Sequence, residues 1–322
     1  MSFYYQIYGL RVASSRNINL LEQVMDSNET HLSVIWTTSA SDTPDPGMEW
    51  TKISNDNTKG TRNIVVYSAP GKPESLFKLD FFTDNILLTL IFDKCKQTAW
   101  IIYDGNETEG NLDSYFVGVI MGCIIRLQGM ICLHGSAVNI AGKAAVFLGS
   151  KRSGKSTTAA AFSQMGFNVL ADDITVIRLR NERYYVQPGY PKVRLRPASL
   201  SALHQASAHE FKLVHTQRNS RYSDITDNFQ QDELPLDTIY ILNQIPDVNL
   251  KPYIEQAPSG GSIDLIRNSF AKYLSTGGLR KGEFESLLQL ASMTRVKKLN
   301  FSNDLAGLNS QCELVVNDLS AS

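Results

Sequence analysis

The sequence has few cysteines, and their spacing does not match that of a metal-binding or disulfide motif. The four thiols, Cys95, Cys123, Cys132 and Cys312, are scattered, and no C-x-x-C pair occurs. Neither a disulfide framework nor a cysteine-ligated zinc site is predicted. Three of the four thiols stand in apolar stretches, so we expect reduced cysteines and a cytoplasmic protein.

Excess charge and long apolar runs are also missing. The chain has 31 basic and 32 acidic residues, a formal net charge of -1, so there is no basic field to drive binding of a nucleic acid. The longest apolar run, 115–125, is far shorter than the roughly 20 residues that cross a bilayer. The N-terminus does not have the pattern of a secretory signal. We therefore expect no nucleic-acid or membrane partner.

The composition that remains is that of a folded protein of two domains. The chain has 322 residues, of which 43% are hydrophobic, enough for two cores. Residues 1–112 contain short alternating or aromatic-rich segments separated by polar turns, which predicts a β-rich N-terminal domain. Within it, the turn-rich segment 43–61 is predicted to be a loop or hairpin tip.

Residues 113–322 predict an α/β domain. Asp113 or Ser114 is expected to cap an apolar helix that extends to Gly129. Strand-like runs at 131–140 and 144–149, a helix at 155–166 and a strand at 167–173 follow, which is a strand-loop-helix-strand unit. Later patterns predict a strand near 238–242 and helices at 263–274 and 283–293.

A glycine-rich segment after the strand-like run AAVFL matches the phosphate-binding pattern G-x-x-x-x-G-K-[ST]. Chance predicts only about 0.01 such matches in a chain of this length. A strand before the loop and a helix after it direct backbone N–H groups and a helix N-terminus at a polyphosphate. We therefore predict an ATP site at Gly149, Ser150, Lys151, Arg152, Ser153, Gly154, Lys155, Ser156 and Thr157.

Two side chains of this loop have predicted chemical roles. Lys155 is expected to neutralise the β and γ phosphates, and the Ser156 hydroxyl is expected to coordinate Mg²⁺. Both roles follow from the charge that phosphoryl transfer must stabilise. The structural alternative is a glycine-rich turn without a ligand.

Two adjacent carboxylates, Asp172 and Asp173, end the apolar strand FNVLA, at the edge where open α/β sheets bind ligands. Neighbours on a strand point to opposite faces, so one carboxylate is placed to hold Mg²⁺ and the other to accept the proton of an attacking hydroxyl. The pattern does not decide which does which; with Asp172 taken for the metal, the magnesium site is Ser156 and Asp172. The alternative is an ordinary turn or cap pair.

His134 stands between two strand-like runs, directly before Gly135 and about one hairpin ahead of the phosphate loop. Histidine titrates near neutral pH and orients carboxylates, which suits a catalytic or charge-positioning role. A lone histidine is more often structural, and both interpretations stay open. The remaining histidines show no metal-ligand spacing.

Basic residues beyond the loop suggest a substrate surface. Arg194 and Arg196 are two apart in KVRLRP, which places both on one face of a strand, suited to holding a phosphate or a peptide carboxylate. A solvated edge strand explains the spacing equally well. Lys212, in the polar stretch 205–233, is a candidate contact from a loop that closes over substrate.

Three motifs in order, L-H-G-S-A-V at 133–138, G-S-K-R-S-G-K-S at 149–156 and V-L-A-D-D at 169–173, resemble the HPr kinase-like family of bacteria. The resemblance implies a phosphoenolpyruvate-carboxykinase-like P-loop domain that uses Mg-ATP to phosphorylate a serine hydroxyl. It also implies that His134, Lys155, Asp172 and Asp173 form the catalytic group. Members of the family are hexameric, whereas this sequence leaves a monomer, a dimer or a larger homo-oligomer open.

The chain departs from that family at two points. The glycine-rich, glutamate-containing signature that follows the aspartates is missing, and Thr157 stands where an acidic residue follows the loop serine. In these respects the chain looks more like divergent members encoded beside ribosomally made peptides, including lasso-peptide clusters. That resemblance implies a peptide or small protein as the acceptor.

Three functions therefore fit the sequence. The first is a kinase for a serine of a peptide or protein, and the second is a kinase for a small molecule. The third is a nucleotide-binding switch that transfers nothing. The intact Lys155, Ser156 and aspartate pair favour the two kinases over the switch.

Overall fold

The computed structural model describes residues 1–25, 29–44, 47–58, 62–83, 86–204, 211–215, 219–247, 249–275, 277–302 and 304–320. The chain divides into two compact units. The first comprises Met1–Gly129 and Ala271–Lys281, and the second comprises Met130–Phe270 and Gly282–Ser322. The boundary thus lies at 129/130, later than the predicted 112/113.

The first unit is built on one eight-stranded sheet with the order β1-β2-β3-β8-β7-β6-β5-β4. Alternating apolar residues form its strands because every second side chain faces the core, as in β2, where Leu10 and Val12 are buried. The β-rich character predicted for the N-terminal part is present. The strands are β1 (Phe3–Ile7), β2 (Leu10–Ser14), β3 (Leu32–Thr37), β4 (Thr51–Thr58), β5 (Arg62–Ala69), β6 (Lys72–Thr83), β7 (Ile86–Asp93) and β8 (Thr98–Tyr103).

The prediction of a loop at 43–61 was wrong for residues 51–58. Residues 51–58 form β4, which pairs antiparallel with β5 at the edge of the sheet. Its polar sequence, TKISNDNT, contains only one strongly apolar residue. An edge strand is held by backbone hydrogen bonds to one neighbour, so a polar sequence is tolerated there. Residues 45–46 and 59–61 of the segment lie outside the described part of the chain.

A helical segment closes the first part of this unit: α1 (Glu109–Tyr115), a π-helical turn (Phe116–Ile120) and α2 (Met121–Leu127). It begins at Glu109, so the predicted cap at Asp113 or Ser114 was wrong. The helix belongs to the first unit because its groups bond to the strands and turns there. The Tyr8 hydroxyl donates to the carbonyl of Val117 at 2.9 Å, and Arg16 donates to the Asp113 carboxylate at 2.9 Å.

The stretch 109–127 is also long and apolar enough to cross a membrane, with a mean hydropathy of 1.2. However, 89% of this window is buried inside the protein. The core helix of a globular protein passes the same test of length and composition. The hydropathy of this helix is therefore weak evidence for a membrane span.

The second unit contains a nine-stranded mixed sheet and a two-stranded ribbon. Its strands are β9 (Ile131–Leu133), β10 (Gly135–Ile140), β11 (Lys143–Leu148), β12 (Val169–Ala171), β13 (Thr175–Arg180), β14 (Arg183–Gln187), β15 (Lys192–Leu195), β16 (Arg221–Asp224), β17 (Leu234–Ile245), β18 (Tyr253–Gln256) and β19 (Arg295–Ser302). Its helices are α3 (Lys155–Gln164), α4 (Pro197–His204), α5 (Ser262–Arg267), α6 (Gly277–Met293, which begins in the first unit) and α7 (Leu308–Ser320).

Three strands of this sheet, β11, β17 and β19, lie side by side and run parallel. Their carboxyl ends therefore meet at one edge of the sheet. The core beside them is aromatic: Phe147 of β11 stacks between Phe162 of α3 and Tyr240 of β17, with ring centroids 5.6 and 5.7 Å apart. This packing holds α3 against β11.

The helix predicted at 263–274 is much shorter than the pattern suggested. α5 ends at Arg267, because the side-chain amide of Asn268 donates to the Asp264 carbonyl at 2.8 Å and ends the helix. Ser269 then forms a bridge with Leu133. The helix predicted at 283–293 is present within α6.

Candidate functional site

The glycine-rich loop connects the end of β11 to the first turn of α3, so the strand and the helix predicted on either side of it are present. Gly154 has a left-handed φ of 94°, a conformation that glycine adopts without strain. A Cβ on Gly149 would lie 2.6 Å from the Ser153 hydroxyl oxygen and 3.1 Å from the Leu242 carbonyl oxygen. The loop conformation thus depends on glycine at both positions.

Lys155 is the first residue of α3, and its side chain turns back into the loop. Its ammonium donates to the carbonyls of Gly149 at 2.8 Å and of Ser150 at 3.0 Å. Burial lowers the pKa of Lys155, while the nearby charges of Asp172 and Asp173 act to raise it. The loop therefore holds a largely desolvated cation at its centre.

Asn268, which the sequence pattern did not single out, ties this loop to α5. Its side-chain oxygen accepts the backbone N–H of Gly149 at 3.1 Å. The carbonyl of the same residue accepts the N–H of His134 at 2.7 Å. One residue thus positions both the start of the loop and the histidine.

Asp172 lies just beyond β12 and is buried beneath the loop. Its Oδ2 accepts the backbone N–H of Arg194 at 2.9 Å. Burial raises the pKa of this carboxyl, and hydrogen bonds from the Arg194 backbone and the Ser156 side chain act to lower it. Its Oδ1 is buried and has no hydrogen-bond partner among the residues that the structure describes.

Asp173 faces the other way and lines an open cavity. Its backbone is left-handed, with a φ of 69°, which turns the chain so that the two carboxylates occupy different environments. Its Oδ2 accepts Nη1 of Arg194 at 2.8 Å. The aspartates do separate, but as residues of a turn after the strand rather than on opposite faces of it.

His134 lies between β9 and β10 and contacts Asp173 twice. Its Nδ1 lies 2.9 Å from the Asp173 carbonyl oxygen and 3.4 Å from Oδ1. A carbonyl oxygen only accepts, so the hydrogen bond requires the proton on Nδ1. Nε2 is the second nitrogen of this half-exposed ring, which lines the cavity.

Arg194 and Arg196 both border the cavity, but they do not share a strand face as predicted, because β15 ends at Leu195. Arg194 is in β15 and makes the ion pair with Asp173, whereas Arg196 follows the strand and is exposed. Lys212 is exposed and is not among the described residues that line the cavity. The structure therefore does not bring Lys212 to the site.

The cavity has a volume of about 470 Å³ and lies over the N-terminus of α3. It brings together most of the predicted site, while Gly149, Ser150 and Asp172 lie beside it without lining it. The predicted residues that line it are His134, Lys151, Arg152, Ser153, Gly154, Lys155, Ser156, Thr157, Asp173, Arg194 and Arg196.

Half of the cavity wall was not predicted from the sequence. It comes from α3 and α4, from the segment before β16, from the ends of β17 and β19, and from α7 and the turn before it. No local pattern marks these residues, because the fold collects them from distant parts of the chain. They are Thr158, Ser199, Val214, Ser220, Gln244, Phe301, Ser302, Asp304, Leu305, Leu308 and Gln311.

The donor set near Asp172 fits a small divalent cation. The described residues contain no cluster of three or more His, Cys, Asp or Glu side chains able to hold a metal. Mg²⁺ does not need one, because it is usually held by one or two protein oxygens together with substrate phosphates and water. The unpartnered Oδ1 of Asp172 and the hydroxyl of Ser156 supply oxygens of that kind.

Comparisons with known proteins give distant structural likenesses and no match of sequence family. No family model matches the chain, and no curated protein matches it. Among solved structures, the HPr(Ser) kinase/phosphatase from Coxiella burnetii is similar over 59% of this chain and 97% of its own, with 12% sequence identity and a TM-score of 0.34. This is a distant relationship at most.

Proposed function

We propose that this chain is an ATP- and Mg²⁺-dependent kinase that phosphorylates a serine hydroxyl of a peptide or small protein. The observation that carries the proposal is the convergence of Lys155, Asp173 and His134 on one cavity over the glycine-rich loop. A loop that only binds nucleotide needs the lysine. Transfer to a hydroxyl is helped in addition by a carboxylate that accepts its proton, and here His134 contacts that carboxylate.

The loop fits a triphosphate for three reasons. Glycine at positions 149 and 154 allows the loop a backbone conformation that a side chain would clash with or strain. The N-terminus of α3, a ten-residue helix, favours negative charge. Lys155 supplies a fixed positive charge at the centre of the loop. When bound, Mg-ATP supplies an electrophilic phosphoryl group whose charge these groups are placed to stabilise.

Burial separates the roles of the two aspartates. Asp172, whose Oδ1 is unpartnered and whose carboxyl accepts a hydrogen bond from the Ser156 side chain, is suited to hold Mg²⁺. Asp173 lines the cavity beside His134 and is suited to accept the proton of the acceptor hydroxyl. Arg194 orients Asp173 through its ion pair, and His134 holds it from the other side.

A serine of a peptide is the proposed acceptor because of the resemblance to kinases encoded beside ribosomally made peptides, including lasso peptides. Arg196, exposed at the cavity, gives this acceptor a cationic contact. The reduced cysteines and the need for ATP fit a cytoplasmic protein, and assembly into a homo-oligomer is compatible with the proposal. A small-molecule acceptor is tested alongside the peptide.

The aspartate variants test the assignment of roles. We expect Asp173→Asn to retain binding of Mg-ATP and to lose transfer by at least about 100-fold, because the base is removed and the phosphate loop is intact. Asp172→Asn should instead raise the Mg²⁺ concentration needed for half-maximal transfer. Binding is measured by calorimetry and transfer by phosphopeptide formation. Full activity of Asp173→Asn would rule out this residue as the base.

A further inference from the structure

The cavity extends beyond the phosphate loop to a wall that the proposed chemistry does not use. This wall consists of Gln244 at the end of β17, Phe301 at the end of β19, Leu305 in the turn Leu305–Gly307, and Leu308 at the start of α7. The parallel order β11-β17-β19 puts these strand ends next to the loop that follows β11. The wall is therefore continuous with the phosphate site.

The loop approaches this wall closely at Gly154. A Cβ built there would lie 3.6 Å from the amide nitrogen of Gln244 and 3.9 Å from Cζ of Phe301. The ring of Phe301 is packed in the core, with 6% of the residue exposed, and Leu308 is 8% exposed, whereas Leu305 is 40% exposed. A ligand that extends from the loop past Gly154 thus meets an apolar surface with one exposed leucine.

The cationic side chains of the cavity lie away from this apolar wall. Its cations are Lys151, Arg152 and Lys155 at the loop and Arg194 and Arg196 at β15. Among the described cavity residues, the carboxylate that lies at the apolar wall is Asp304, which accepts the N–H of Ala306 at 3.0 Å and caps the turn that carries Leu305. The cavity thus has a cationic part, which suits phosphates, and an apolar part, whose side chains do not stabilise a phosphate.

We propose that the wall of Gln244, Phe301, Leu305 and Leu308 binds the heterocyclic base of the nucleotide. This inference rests on the proposed function and adds to it the place where the base of the nucleotide binds, a contact that an inorganic polyphosphate cannot make. A base offers a flat apolar face that packs on Phe and Leu side chains and a polar edge. The Gln244 amide, which has one acceptor and two donors, is placed to contact that edge.

The test compares ATP with inorganic tripolyphosphate, which has the phosphates and no base, by calorimetry in the presence of Mg²⁺. For the full-length wild-type protein we expect ATP to bind at least about tenfold more tightly than tripolyphosphate, as stacking of one base predicts. Leu305→Ser should bind ATP more weakly and so lose most of that difference in affinity. Its affinity for tripolyphosphate should be unchanged.

Leu288→Ser is the matched control. Leu288 has the same exposed fraction as Leu305, 40%, lies in α6 of the same unit, and is not among the described cavity residues. We expect it to bind both ligands like the wild type. Phe301→Leu, which keeps an apolar side chain in the core, is a second variant, and its melting temperature shows whether it is folded.

Four results would overturn the inference. The first is that the wild type binds ATP and tripolyphosphate equally, and the second is that Leu305→Ser and Phe301→Leu bind ATP like the wild type. Either result would show that the wall does not bind the base, although the phosphate loop binds the phosphates. An equal loss of both ligands in Leu305→Ser means that the residue supports the loop rather than the base. Binding of neither ligand by the wild type would overturn the proposed function together with this inference.

Discussion

At the scale of single residues, the adjacent aspartates show how environment separates identical side chains. Asp172 is buried with an unpartnered Oδ1, and Asp173 lines the cavity between His134 and Arg194. The sequence predicted that the pair would divide into a metal ligand and a base, but it did not assign the roles. The assignment depends on burial, which the left-handed turn at Asp173 creates.

The burial of Asp172 predicts an unusual effect on stability. Because burial raises its pKa, the ionised form is unfavourable in the native state above the native pKa, and the penalty is relieved as the pH falls through that pKa. Without nucleotide or metal, Asp172→Asn should raise the free energy of unfolding by about 1 kcal/mol at pH 8, and less as the pH is lowered towards 5.

Urea unfolding at the two pH values measures this effect, and Asp173→Asn is the control. Asp173 is paired with Arg194, so its replacement should give no gain in stability. A lower stability of Asp172→Asn at pH 8 would show that the carboxylate is well stabilised in the native state and would contradict the burial argument.

Two glycines with similar backbone conformations allow the effect of backbone strain on stability to be distinguished from its effect on ATP binding. Gly154 in the loop has a φ of 94°, and Gly142 in the turn between β10 and β11 has a φ of 79°. Alanine at either position is strained and should lower the free energy of unfolding by about 1 kcal/mol. Only Gly154→Ala should also weaken ATP binding, because it alters the phosphate cradle.

Calorimetry with ATP and urea unfolding of both variants check this prediction. Among the described residues, nothing lies within 4 Å of a Cβ added to Gly142, so strain alone acts there. If both variants bound ATP like the wild type, the loop conformation at Gly154 would not matter for the nucleotide.

At the scale of elements, the sequence predicted the strands and helices whose patterns are local. The strand, loop and helix at 143–164 were recognised because a motif and its flanking periodicity agree. In contrast, β19 and α7 were not predicted, although they supply Phe301, Leu305 and Leu308 to the cavity. β19, RVKKLNFS, is rich in lysine and lacks a clear strand pattern. It forms a strand by pairing with β17 and β18.

A polar cluster attaches α7 to this sheet. Lys297 of β19 donates to both carboxylate oxygens of Asp318 in α7 at 2.8 Å, and the Tyr240 hydroxyl of β17 donates to the same carboxylate at 2.6 Å. Burial, with the Asp318 carboxylate beside it, raises the pKa of Tyr240. Asp318 thus joins two strands to the helix that begins at the cavity.

The cluster predicts an order of effects. Lys297→Met should lower the free energy of unfolding by about 2 kcal/mol, because it leaves Asp318 without its cation. Tyr240→Phe should lower it by only about 1 kcal/mol, since the ion pair remains. Urea unfolding of the two variants measures the order, and a larger loss in Tyr240→Phe would show that the ion pair contributes little.

At the scale of the whole molecule, the sequence did not predict where the two units divide. It also did not predict that the segment Ala271–Lys281 returns to the first unit. The predicted boundary followed the change from strands to helix. The real boundary follows packing, since the helical segment 109–127 and residues 271–281 belong to the first unit. Arg126 holds the returning segment, donating to the Ala271 carbonyl at 2.7 Å and to the Ser275 hydroxyl at 3.1 Å.

This arrangement predicts that stability and nucleotide binding respond separately. Arg126→Met removes buried charge-assisted hydrogen bonds and should lower the stability of the first unit by about 2 kcal/mol. All described cavity residues belong to the second unit, so ATP affinity should be unchanged at a temperature where the variant is folded. Thermal unfolding and calorimetry check both parts, and a large loss of ATP affinity would contradict the second.

The central claim is that this chain transfers the γ-phosphate of ATP to a serine hydroxyl. The most direct measurement is intact-mass spectrometry of acceptors after incubation with Mg-ATP and the protein. The acceptors are any short precursor peptide encoded beside the gene, the same peptide with each serine replaced by alanine, and free serine. Lys155→Ala is the control that removes the loop cation.

We expect that the precursor peptide gains one phosphate mass, that one serine-to-alanine peptide does not, and that Lys155→Ala abolishes the gain. Phosphorylation of free serine alone would replace the peptide acceptor with a small molecule. If no acceptor gains mass although ATP binds, the chain is a nucleotide-binding switch and the claim of transfer is wrong.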